Sequence, residues 1–192
     1  MSQLESSQQN NLLSNGSPAS PEQQPGIQYL LVALAGREYG VRLEALQEVR
    51  RFEPDAVAPV PNTPEWLEGI ISLRGTIVSV VNLRTFLGYN RQDEQSGRSL
   101  VFDLGFRLGG PIPRLLVVYQ GDLQVSLMVD DILGVVFVNP EAVKPNDNPA
   151  DLATEYLEGI YNDPVSAKTI ALLNARKLIT SPAMLQFEPV ES

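Results

Sequence analysis

The chain of 192 residues contains neither cysteine nor histidine. Disulfides, thiolate metal sites, cysteine nucleophiles, the commonest general base and any phosphohistidine step within the chain are therefore excluded. Fourteen basic against twenty-three acidic residues give a net charge of −9, which repels phosphate backbones and anionic lipid, and the densest basic pair, Arg50-Arg51, would point to opposite faces of a strand.

Residues 1 to 26 are rich in Ser, Gln, Asn and Pro, with little apolar content beyond Leu4, Leu12 and Leu13. Such a segment cannot offset its own ordering entropy and reads as a disordered polar tail. Met1 to Ser7 have no basic start and no apolar core, so no secretory signal is expected, and no later run is long enough to cross a bilayer. A cytoplasmic location without direct membrane insertion is the default, and in that compartment Asn15-Gly16-Ser17 is a chance match to a glycosylation acceptor.

Beyond the tail, short runs of Val, Ile, Leu and Tyr alternate with Gly and Pro, which predicts many short strands and no long helix. The first five strands are expected at Tyr29 to Leu34, Glu38 to Arg42, Gln47 to Phe52, Leu67 to Leu73 and Thr76 to Val81, with tight turns at Gly36 and Gly75. The next five are expected at Leu115 to Tyr119, Leu123 to Met128, Val135 to Asn139, Leu157 to Tyr161 and Thr169 to Leu173. Helical turns are predicted at Leu43 to Leu46, Leu83 to Leu87 and Asp130 to Leu133, and one helix from Ala175 through Leu185 that contains the unfavourable Pro182. Residues 91 to 113 are too many for a bare loop, and Phe102, Phe106 and Leu108 would be costly exposed. They read as a structured insertion that adds a hairpin to a barrel or shapes a partner surface, and residues 183 to 192 read as a tail.

The chain also repeats itself. Trp66-Leu67-Glu68-Gly69-Ile70 returns as Tyr156-Leu157-Glu158-Gly159-Ile160, and Asn82-Leu83-Arg84 as Asn174-Ala175-Arg176. Pro54-Asp55-Ala56-Val57-Ala58-Pro59 likewise returns as Pro140-Glu141-Ala142-Val143-Lys144-Pro145. Two copies of one unit follow, a first module at 27–90 and a second at 114–182. Five short antiparallel strands per copy suit a small barrel, which hides its edges. The predicted fold is mainly β: two small five-stranded SH3-like barrels in tandem pseudo-repeat, with short helices and a C-terminal helix.

Residues shared by the copies are explained by the shared fold, whereas a residue present in one copy needs another reason. Leu46 recurs as Ile132, Gly69 as Gly159 and Arg84 as Arg176. Arg84 is therefore expected to be structural, bonding carbonyls or a carboxylate at a barrel mouth. Arg74 and Glu48 have no counterpart, because the second copy reads Asn162-Asp163-Pro164 after its strand and Gly134 in place of Glu48. Arg74 precedes Gly75 at a hairpin tip, where its side chain would project into water and offer a partner five donors in a fixed fork.

Gly69-Ile70-Ile71-Ser72-Leu73-Arg74-Gly75, followed by an apolar run into Asn82-Leu83-Arg84, resembles the CheW family of coupling proteins, with further matches at Tyr39-Gly40-Val41, Leu46-Gln47-Glu48-Val49 and Val129-Asp130-Asp131-Ile132. The resemblance covers roughly residues 27 to 182. It implies a non-enzymatic adaptor that joins a chemoreceptor's cytoplasmic hairpin tip to the regulatory domain of a histidine kinase, recruited to receptor arrays at the inner membrane. It also implies that Leu46, Glu48, Gly69 and Arg74 contact the receptor. The family's Asp is Asn82 here, which keeps an acceptor and loses the charge, so an ion pair at that position is weakened or absent. The mid-chain insertion and the Asn- and Gln-rich head point to a specialised version such as the pilus-associated, PilI-like type.

Asp130-Asp131 after an apolar run also resembles the opening of a phosphoacceptor or magnesium site, but there are no crossover helices, and capping of a helical turn explains the acidic pair more simply. No phosphate-cradling loop or nucleophile elbow is present. No catalytic residue, cofactor or metal is assigned. The alternative is a small-barrel module that binds peptide or nucleic acid outside chemotaxis, and the acidic balance weighs against nucleic acid.

Overall fold

The computed structural model describes residues 26–89, 112–146 and 153–185. All ten predicted strands form: β1 (Ile27–Leu34), β2 (Arg37–Arg42), β3 (Leu46–Arg51), β4 (Leu67–Leu73), β5 (Thr76–Asn82), β6 (Arg114–Gln120), β7 (Leu123–Val129), β8 (Asp131–Val138), β9 (Leu157–Asn162) and β10 (Thr169–Leu173). Among the described residues three short α-helices accompany them, α1 (Leu83–Phe86), α2 (Ala175–Ile179) and α3 (Pro182–Leu185), with single 3-10 turns at Leu43–Ala45, Pro54–Ala56, Pro140–Ala142 and Thr154–Tyr156.

The strands build two five-stranded sheets, ordered β8-β1-β2-β10-β9 and β3-β6-β7-β5-β4. The mainly β class with two five-stranded units holds, but the sheets are not the sequence modules. Each draws strands from both copies: the hairpin β1–β2 joins β8, β9 and β10, and the hairpin β6–β7 joins β3, β4 and β5. Replacing every strand by its repeat counterpart converts one sheet order into the other. The seams where the copies meet are parallel, with Tyr39 opposite Ala171 in β2 and β10, and Ser79 opposite Val125 in β5 and β7. This corrects the expectation of an antiparallel barrel per copy, since pairing between copies leaves no mark on the period of either strand.

Burial alternates along the strands and separates three apolar clusters. The largest lies between the sheets and combines Val32, Leu34 and Val41 from one with Leu116, Leu127 and Val129 from the other, closed by Leu83, Leu178 and Ile179. Leu115, Val117, Ile71, Val78 and Val80 fill the inner face of the β3–β4 sheet, and Tyr29, Val138, Tyr161, Ile170 and Leu172 that of the β8–β9 sheet. β6 shows the logic, with Leu116 and Val118 facing the shared core and Leu115 and Val117 the opposite way.

Two local expectations are corrected. Asp130 to Leu133 is not a helical turn, because β8 begins at Asp131 and pairs with β1. The C-terminal helix is two helices broken at Thr180-Ser181: the Thr180 hydroxyl turns back to the Arg176 carbonyl at 3.0 Å, and Pro182 opens α3, where its missing N–H costs nothing. Ala183 to Leu185 thus belong to a helix whose Met184 is buried, whereas residues 186–192 of the expected tail lie outside the described residues. The polar head to residue 25 and the insertion through residue 111 also lie outside them.

Candidate functional site

Arg74 and Gly75 form the two-residue turn between β4 and β5, and both take positive φ, +50° and +87°. That pair of left-handed residues matches the right-handed twist of the flanking strands and aims Arg74 outward. Its side chain is 79% exposed, and Nη2 lies 2.9 Å from Glu48 Oε2, whose side chain is 23% exposed. β3 and β4 are opposite ends of the sheet order, so this ion pair shows that the sheet curls until its edges face each other. A recess of 60 Å³ lies along the same seam, lined by Arg50, Arg51, Ile71, Ser72 and Leu73.

A β-bulge at Gln47 separates the roles of its neighbours. Leu46 pairs with Val118 and packs against the shared core, while Glu48 pairs with Val117 and turns toward Arg74. Gly69 sits toward the other end of β4 with φ +144°, where a Cβ would lie 2.3 Å from the Ala58 carbonyl oxygen. That close approach allows Ala58 and Ile70 to exchange two 2.9 Å backbone hydrogen bonds. Gly159 repeats the arrangement against Lys144, at 2.5 Å. Of the four expected contact residues, Glu48 and Arg74 are brought together, Leu46 shares the strand of Glu48 but serves the core, and Gly69 serves a backbone crossing.

Asn82 caps α1 by accepting from the Thr85 N–H at 3.2 Å, and its amide donates to Glu68 at 2.8 Å. An aspartate would keep the cap and repel Glu68. Arg84 lies 2.6 Å from Asp130, which also accepts from the Ala35 N–H at 2.8 Å. The acidic residue thus fastens a turn and an arginine in place of capping a helix. Arg176 mirrors Arg84 by donating to the Glu44 carbonyl at 2.7 Å.

Two features escaped sequence reading. Along β8, an edge strand, Leu133, Val135 and Phe137 are all exposed, where the equivalent β3 positions are Gln47, Val49 and Arg51. The unbroken apolar run Leu133-Gly134-Val135-Val136-Phe137 hid which face was outward. Beneath the other sheet end, Glu158 accepts from Tyr29 Oη at 2.6 Å and from Arg42 Nε at 2.9 Å. Burial, then the Glu158 hydrogen bond, pushes the Tyr29 phenol above its ordinary range, and that carboxylate also raises the Arg42 guanidinium. The repeat gives no sign of it, since the counterpart Glu68 accepts from Asn82 instead.

The loop equivalent to Arg74-Gly75 is different in kind. Asp163 accepts from the Ser166 hydroxyl and from the Val165 and Ser166 N–H groups, which holds its carboxyl below the usual range and presents Val165 to solvent. Among the described residues no helix is long and apolar enough to cross a membrane, and no three acidic side chains cluster as a metal site would need. The arrangement offers recognition surfaces: one charged tip and one apolar edge.

A family model described as a CheW-like domain matches residues 28–183. The chain is 28% identical over 160 residues to the chemotaxis protein CheW of Klebsiella aerogenes, covering 83% of this chain and 85% of that protein. It is 27% identical over 161 residues to the protein FrzA of Myxococcus xanthus, covering 84% and 88%. The crystal structure of the scaffolding protein TtCheW from Thermoanaerobacter tengcongensis superposes with a TM-score of 0.65 at 21% identity, over 87% of this chain and 96% of that one, and shares its fold.

Proposed function

The chain belongs to the CheW-like domain family, and on that premise we propose that it is a non-enzymatic adaptor coupling chemoreceptors to a histidine kinase in bacterial chemosensory signalling, with chemotaxis or pilus-driven motility as the output. The receptor's hairpin tip docks at the curled edge of the β3–β4 sheet, where Glu48 and Arg74 present opposite charges beside Leu46. The observation that carries this reading is the exposed Glu48–Arg74 pair, which exists in one copy of a duplicated fold and makes no contribution that the other copy needs. Gly69 acts indirectly, by setting the path of β4.

The kinase regulatory domain docks on β8, where Leu133, Val135 and Phe137 form an apolar stripe on a strand with one unpaired edge. Both partners would hold the adaptor at arrays on the cytoplasmic face of the inner membrane. The reading is tested by co-sedimentation of the full chain with receptor-containing membranes and cognate kinase. Recovery of the kinase in the pellet only when this chain is present is the expected result, and equal recovery without it sinks the proposal.

A further inference from the structure

The sharpest difference between the two sheets lies at their polar ends. After β5, Arg84 and Asp130 are largely buried and 2.6 Å apart. At the equivalent point after β10 there is instead a polar recess of 280 Å³, lined by Arg42, Glu44, Glu158, Asn174 and Arg176. The parallel registers show why it opens. Leu173 pairs with Val41 and Val81 with Leu127, so Arg42 occupies the position that Met128 fills in the other sheet. One copy thus adds a second arginine and replaces a sealed aspartate with a longer glutamate.

Glu44 is held by its backbone and loose at its carboxylate. Its carbonyl accepts from Arg176 at 2.7 Å and from the Tyr119 hydroxyl at 3.2 Å. Its side chain is 60% exposed, and one carboxylate oxygen stands 3.7 Å from both Arg42 Nη1 and Arg176 Nη1, within ionic reach but beyond hydrogen-bond distance. Arg42 is already neutralised by Glu158 at 2.8 Å. Arg176, its guanidinium 5.5 Å over the Tyr119 ring, has an Nε shut off from solvent with no acceptor, and among the described residues its ion pair is with that loose glutamate.

We propose that this recess is a carboxylate-binding site for an acidic segment of a partner protein, with Glu44 as its internal occupant. An incoming carboxylate takes the place between Arg42 and Arg176 as the Glu44 side chain swings into solvent, leaving the local charge unchanged. Carboxylate is the chemistry indicated because a carboxylate already sits there, 3.7 Å from the Nη1 of each arginine and so too far away to hydrogen-bond either.

The test is fluorescence anisotropy of dye-labelled hexaglutamate titrated with the full chain, with labelled hexaglutamine as control. A net charge of −9 disfavours general attraction of this probe, so specific binding stands out. Saturable binding of hexaglutamate alone is expected, tightened several-fold by Glu44→Gln and weakened about tenfold by Arg176→Gln. Should Arg176→Gln lower the unfolding midpoint, Glu44→Gln carries the test, because it alters an exposed side chain. Equal binding of the two peptides by wild type and Glu44→Gln, or hexaglutamate binding indifferent to both substitutions, overturns the proposal. Neither receptor nor kinase is present, so the result stands apart from the adaptor reading.

Discussion

Arg84 and Arg176 occupy equivalent positions after β5 and β10, and each fastens to a turn contributed by the other copy: Arg84 to Asp130 at 2.6 Å, Arg176 to the Glu44 carbonyl at 2.7 Å. With the exchanged hairpins, this makes the repeat a cross-braced whole in place of two beads on a string.

The two braces should differ in strength. Arg84 and Asp130 are 15% and 18% exposed, so Arg84→Ala strands a carboxylate away from water and is expected to cost ~2–4 kcal/mol. Arg176→Ala removes a bond to a carbonyl beside an exposed glutamate and should cost about 1 kcal/mol. Urea denaturation of both variants checks the ordering, and equal losses would refute it.

Gly69→Ala and Gly159→Ala each place a methyl within 2.5 Å of a backbone carbonyl at positive φ. Losses above ~2 kcal/mol are expected for both, against about 1 kcal/mol for Gly36→Ala, whose turn is open. Circular dichroism melts measure this. A Gly69→Ala protein with wild-type stability and lost receptor binding would instead make Gly69 a direct contact.

Much of this was legible. Periodicity located ten strands, and the repeat exposed Arg74 and Glu48 as residues one copy does without. Strand partnership was not, because β6 reads the same whether it pairs with β3 or with β8. The β8 stripe was hidden for a related reason: Val136 is half-buried and Val135 exposed, yet nothing in two adjacent valines says which faces in. The Arg42–Glu158–Tyr29 network joins positions far apart in the chain through the parallel seam, so local sequence could not reveal it.

Arg74→Glu reverses one charge of the exposed pair and sets it against Glu48. Receptor recruitment should fall at least ~10-fold, while stability changes by no more than ~0.5 kcal/mol because the Arg74 side chain is 79% exposed. Membrane co-sedimentation beside a thermal melt reads both quantities, and unaltered recruitment removes Arg74 from the docking surface.

Tyr29 gives the fold an alkaline limit. Its folded pKa is raised by burial and by Glu158, so the phenol stays protonated after the unfolded chain, near ~10, begins to ionise. Its contribution is fully present below that unfolded value and is lost as pH rises toward the folded one. Tyr29→Phe should flatten the fall of stability between about pH 9 and 11 relative to wild type, measured by urea midpoints across that range. Parallel curves would show that another group sets the limit.

On the proposed reading, the β8 stripe meets the kinase and not the receptor. Leu133, Val135 and Phe137 are exposed and join no cluster of the core, so Val135→Ser with Phe137→Ser should leave stability within ~0.5 kcal/mol. Burial of such side chains is non-ionic, so kinase binding should persist when salt rises from ~0.1 to ~0.5 M, conditions that weaken the contact at Arg74. In co-sedimentation the double variant should itself still reach receptor membranes yet bring down little kinase. If it recovers kinase as wild type does, the kinase meets another face, and the exposed apolar edge of the β8–β9 sheet needs a different occupant.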